Sequence, residues 1–63
     1  MNKLDKKILA HLQAEGRLSV TELAERIGLS VSPCHRRVKV LEDTGVIQGY
    51  RAQLNPELVG LNF

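Results

Sequence analysis

A chain of 63 residues, 43% hydrophobic and 25% charged, holds one small core at most, since folding at this length buries only roughly 60% of the unfolded surface. A formal charge of +2 does not by itself argue for a polyanionic partner, and Lys/Arg outnumber Asp/Glu only five to four in residues 1–29 and four to three in 30–63, so any basic patch is local. One cysteine excludes an internal disulfide, no apolar run approaches the roughly 18 residues of a membrane span, and no signal-peptide pattern opens the chain, so a cytoplasmic protein with no membrane partner is expected.

The first predicted helix carries Leu4, Ile8 and Leu12 at the helical period, with Asn2 placed to cap it and Asp5 in the first turn, where the helix dipole favours an acid. His11 falls near the edge of that stripe and reads as structural. The second segment opens on Ser19 with Glu22 three residues later, the capping-box pattern, and Val20, Leu23, Ala24 and Ile27 form one face of a short helix from Val20 to Ile27. The third starts at Ser30, which puts Pro33 at the third helical position, or at Ser32, which makes Pro33 the first helical residue. Neither placement loses a backbone bond. Its apolar stripe is Cys34, Val38 and Leu41. Gly16, Gly28 and Gly45 each follow a helical segment, where a left-handed residue is expected.

Beyond Gly45 the pattern changes to strand. Val46, Tyr50, Ala52 and Leu54 fall on alternate positions with Gln48 between them, and Asn55-Pro56 ends the run. Glu57 to Gly60 has room for a single turn, and Leu61-Asn62-Phe63 reads as the start of a further strand. The predicted fold is therefore mainly α: a three-helix, winged-helix-like helix-turn-helix domain over 1–45, then a β-strand linker over 46–63.

The third helix carries the functional argument. With Cys34 at 0° and about 100° per residue, the buried face centres close to 10°, whereas Lys39 (about 140°), Ser32 (about 160°), Arg36 (about 200°) and Val40 (about 240°) point away from it. His35 (about 100°) and Arg37 (about 300°) flank the core. The acids Glu42 and Asp43 come only in the last turn, an order that opposes the helix dipole. A solvated outer face explains such a helix taken alone. A short helix, a turn containing Gly28 and a second helix opening with small polar and basic groups is instead helix-turn-helix geometry, with a unit at 20–39 and a recognition helix at 30–44. Arg bonds guanine bidentately, and Ser and His bond bases singly.

Metal and nucleophile readings fail on geometry. Zinc is held by about four donors, and only Cys34, His35 and the distant His11 are on offer. Neighbours on a helix project about 100° apart, so Cys34 and His35 neither share an ion nor act as a nucleophile–base pair. Cys34 reads as a small buried hydrophobe. No carboxylate pair, triad or phosphate loop is present in the sequence, so neither an enzyme nor a cofactor is expected.

On these residues the chain resembles the Lrp/AsnC (leucine-responsive, feast/famine) transcription regulators of bacteria and archaea. "LDKKILAHLQAEGRLSVTELAERIGLS" is similar to their first two helices in a style shared by many winged-helix regulators. "LSVSPCHRRVKVLEDTGVIQGYRAQLNPELVG" is more specific: Ser, Pro and Cys open the recognition helix, Arg37 to Glu42 continue it, and Gly45 to Pro56 match the strand linker position by position. The resemblance implies sequence-specific binding of double-stranded DNA at a pseudo-palindromic operator. It also implies a homodimer or higher oligomer, formed partly through strand 46–54, and an amino-acid effector bound by an α/β C-terminal domain absent from this chain, which is either an excised DNA-binding domain, the expected case, or a stand-alone relative. The expected DNA-binding residues are Ser19, Thr21, Ser30, Ser32, Pro33, His35, Arg36, Arg37 and Lys39. Arg36 and Ser32 are assigned to bases. Arg37 and Lys39 are assigned to phosphates, with a competing role for Arg37 as a packing or ion-pair residue toward the first helix. The competing function is a winged-helix-like protein–protein module with its basic face solvated, and salt dependence of duplex binding separates the two.

Overall fold

Residues 1–60 are described by the computed structural model, and their helices begin where side chains satisfy the first amide groups. Asn2 caps α1 (Lys3–Ala14): its Oδ1 accepts the Asp5 N–H at 2.8 Å. Ser19 caps α2 (Val20–Ile27) with both bonds of the capping box, Ser19 Oγ accepting the Glu22 N–H at 3.1 Å and Glu22 Oε1 accepting the Ser19 N–H at 3.0 Å. α3 runs Val31–Asp43, and Asn55 caps the one-turn α4 (Pro56–Val59) by accepting the Glu57 and Leu58 N–H groups.

The apolar stripes of α1, α2 and α3 meet in one core of Ile8, Leu23, Ala24, Cys34, Val38 and Leu41. Leu4, Leu9, Leu12, Leu18, Val20, Ile27, Leu29 and Ile47 close around it, half-buried. The third-helix stripe is thus the one its periodicity predicts, and Cys34 sits in it fully buried. Gly28 ends α2 in the left-handed region at φ +69°, and Gly45 follows α3 at φ +81°. Gly16 does not behave as expected, for positive φ among the described glycines falls at Gly28, Gly45 and Gly60 only. α1 instead ends through Glu15 at φ −138°, whose N–H donates to the His11 carbonyl, and the Leu18 N–H then closes a turn onto the Glu15 carbonyl.

No strand forms among the described residues. Residues 46–55 leave α3 in an irregular path, because a ladder needs a second strand and none of the described residues supplies one. The start of the segment is nonetheless tied to the helices. The Ile47 N–H donates to the Leu41 carbonyl at 2.9 Å, which seats Ile47 on the core, and the Tyr50 hydroxyl donates to Glu42 Oε2 at 3.0 Å. Every residue from 51 to 60 is exposed. The expectation that Leu61–Phe63 starts a further strand lies outside the described residues.

Candidate nucleic-acid interface

The turn between α2 and α3 is Gly28-Leu29-Ser30. Gly28 donates to the Glu25 carbonyl at 3.3 Å and Leu29 to the Ala24 carbonyl at 2.9 Å, so the end of α2 is closed by its own backbone. Beyond its two chain neighbours, nothing lies within 4 Å of where a Gly28 side chain would start; the glycine is needed for its backbone angle and not for space.

Ser30, and not Ser32, takes the cap position of α3, yet its side chain makes no capping bond. Pro33 removes one of the two donors that such a cap can use. A capping serine accepts from the second or third helical residue, and the third here is a proline with no N–H. The Ser30 hydroxyl is left uncommitted at the exposed entrance to the helix.

Along α3 the core claims Cys34, Val38 and Leu41 and leaves Ser32, His35, Arg36, Lys39 and Val40 exposed. Arg36 forms no ion pair among the described residues. Lys39 approaches Asp43 at 3.8 Å with both side chains about two-thirds exposed, a pair that contributes little. Pro33 is half-buried at the edge of this surface. At the start of α2, Thr21 is exposed, whereas the Oγ and N–H of Ser19 are both committed to Glu22, leaving the Ser19 hydroxyl hydrogen as its free donor.

Arg37 is placed differently from its neighbours. Its Nε donates to Asp5 Oδ1 at 2.5 Å and its Nη2 to Asp5 Oδ2 at 2.7 Å, a two-bond fork between α1 and α3. Asp5 is the one buried charged residue among those described, and its side chain is 4% exposed against 37% for Arg37. The hydrogen bonds from Arg37 hold the Asp5 carboxyl below its ordinary pKa despite the burial that opposes them. The ion pair of Arg37 toward α1 is therefore present. The helix dipole alone favours Asp5 in the first turn and does not predict its burial. Its place on the wheel of α1, about 60° from Ile8, was the available sign of a carboxylate inside the apolar stripe. Burial raises the Cys34 thiol pKa, which keeps it neutral and unsuited to nucleophile or ligand duty.

Comparison with known proteins puts this geometry in context. The family described as winged helix-turn-helix DNA-binding matches residues 1–48. The leucine-responsive regulatory protein of Rhizobium meliloti is 53% identical over 60 residues, covering 95% of this chain and 38% of that protein. The proline dehydrogenase transcriptional activator of Rhizobium radiobacter is 47% identical over 62 residues, covering 98% of this chain and 40% of its own length. Among solved structures, a transcriptional regulator from Neisseria meningitidis in complex with L-Met superposes with a TM-score of 0.89 at 54% identity, over 94% of this chain and 38% of that one. An AsnC family transcriptional regulator from Agrobacterium tumefaciens gives 0.88 at 46% identity, over 94% and 39%. The chain thus spans about two-fifths of the length of these relatives.

Proposed function

Given that the chain belongs to the winged helix-turn-helix DNA-binding family and is a DNA-binding domain of the Lrp/AsnC transcription regulators, not an enzyme, we propose that α3 enters the major groove of an operator. In this reading Arg36 and Ser32 meet base edges, His35 and Ser30 border them, and Lys39 meets the phosphate backbone. Thr21 and Ser19, with Pro33 shaping the entrance of α3, place the start of α2 over the same backbone. The observation that carries the reading is the polar outer face of α3. Its hydroxyl, imidazole and guanidinium groups are exposed and unpartnered among the described residues, on a helix held from behind by Cys34, Val38 and Leu41. A duplex supplies what such a face lacks, acceptors at guanine O6 and N7 and a line of phosphates.

Residues 1–45 act as the binding unit and 46–63 as a linker whose 46–54 stretch becomes a strand by pairing with its counterpart in a second copy. The dimer sets two recognition helices about 34–36 Å apart on a pseudo-palindromic operator. The amino-acid effector acts through a further domain, as the L-Met complex of the Neisseria meningitidis regulator suggests. The setting of this activity is the cytoplasm. One copy of these 63 residues engages a half-site, and tethering two copies raises affinity by about 10²–10⁴ without new contacts. The test is selection of bound duplexes from random DNA with wild-type and Arg36→Ala chains fused to an unrelated dimerisation domain, combined with a salt titration. The expected result is a palindromic preference altered at one position per half-site by the substitution, with affinity falling steeply as salt rises. Binding that does not change with salt returns the domain to a protein-contact role.

A further inference from the structure

Asp5 and Arg37 form a charged pair where an apolar contact would serve packing equally well. Replacing buried ion pairs by apolar residues of similar volume is often neutral or stabilising, so inter-helix packing alone does not account for the pair. Its geometry suggests a second use. A guanidinium carries five N–H donors in a planar fork. Asp5 takes Nε–H and one Nη2–H, both on one edge. The adjoining end edge, with Nη1 and the outer Nη2 hydrogen, makes no hydrogen bond among the described residues, and the side chain is 37% exposed. Arg37 also follows Arg36 directly, on the flank of the helix face assigned to the groove.

We propose that Asp5 is a positioning residue for DNA binding: by gripping one edge of the Arg37 guanidinium it aims the other edge at a backbone phosphate beside the recognition helix. The inference rests on the reading of α3 as the groove helix. An unrestrained arginine on a helix flank samples many rotamers, and fixing one on binding costs affinity. Asp5 is itself anchored, since the Asn2 side chain accepts its N–H at the start of α1. The carboxylate therefore holds the fork in place before the duplex arrives. Fork and phosphate then fix the register of α3 along the backbone while carrying no sequence information. Arg37 stays cationic throughout, for the same hydrogen bonds to Asp5 raise its pKa.

The experiment is a salt titration of duplex binding with the dimerised chain, each variant corrected for its folded fraction by circular dichroism. The double variant Asp5→Leu/Arg37→Met replaces the pair by apolar volume. It is expected to fold, to keep the wild-type sequence preference and to lose about one unit of the slope of log affinity against log salt. Asp5→Asn, which keeps the cation and the partner's shape, is expected to retain the slope and to bind specific and random duplexes more weakly by the same factor. A double variant with the wild-type slope, or Asp5→Asn binding with wild-type affinity, overturns the proposal. In either case the Arg36→Ala result still decides the groove reading separately, and wild-type binding indifferent to salt overturns both.

Discussion

The two helices on either side of the Gly28 turn begin in opposite ways. α2 closes on itself: Ser19 and Glu22 exchange both capping bonds, and its outer Arg26 reaches back to Glu15 at 2.8 Å. α3 begins with a serine that caps nothing, a proline that removes one of the two donors such a serine can use, and exposed side chains without partners among the described residues. The first arrangement maximises internal satisfaction. The second leaves hydrogen-bonding capacity at the surface, where another molecule can use it. The lesson is a division of labour along 25 residues of chain: α2, with α1 and the core, supplies stability, while the outward half of α3 is relieved of it.

Substitutions can break or sharpen that contrast. The largest effect is expected from Leu23→Ala in α2. Leu23 is 1% exposed, and large-to-small changes in a core cost about 2–5 kcal/mol. A core this small rarely supplies more than about 3–5 kcal/mol in all. Urea denaturation should find the variant largely unfolded, and a fully folded variant would move the centre of stability away from α2.

Arg36→Ala is the counterpart on α3. It should leave the urea midpoint within experimental error of wild type while removing about 1–3 kcal/mol of discrimination at one base position. A clear loss of stability with unchanged preference would make Arg36 structural and cancel the contrast.

The two cap serines give a matched pair. Ser19→Ala should destabilise the fold by about 1 kcal/mol through the lost capping bond. Ser30→Ala should leave stability nearly unchanged, because the Ser30 side chain makes no capping bond to lose. Equal losses at both sites, measured by the same urea titration, would show that Ser30 caps α3 in solution.

The finest test is acid titration. Asp5 has a pKa held below its ordinary value near 3.8 by the Arg37 hydrogen bonds. A group depressed in the folded state contributes stability that is fully present above its unfolded pKa and lost as pH falls through the folded one. Thermal midpoints of wild type should therefore decline as the pH is lowered beneath about 4, and the decline should be shallower in Asp5→Asn. Glu22 is depressed in the same sense by its bonds to Ser19 and adds to the same acid limb. Identical limbs in wild type and Asp5→Asn would show that the fork does not persist in solution.

Much of this molecule is legible in the linear order of its residues, because the physics involved is local. Caps, helix ends and apolar stripes depend on residues within about four positions of one another. Asn2, Ser19, the Leu4-Ile8-Leu12 repeat, the short helix from Val20 to Ile27 and the Cys34-Val38-Leu41 face therefore follow from spacing, as does the outward placement of Ser32, Arg36 and Lys39. Even the choice of Ser30 over Ser32 as cap changes no side chain's face. The local rules failed at Gly16, where two turn bonds around Glu15 replaced the left-handed glycine that usually ends a helix.

What only the tertiary structure decided are contacts between distant positions. Asp5 and Arg37 stand 32 residues apart; local spacing puts each near the edge of its helix's apolar stripe, but nothing in either neighbourhood specifies that the two meet. That outcome depends on how the helices assemble around their shared core of Ile8, Leu23, Ala24, Cys34, Val38 and Leu41, which is set collectively. Residues 46–54 mark the same boundary from the other side. Their alternation fits a strand, but a strand is a relation between two segments, and its backbone bonds form only where a second one is brought alongside.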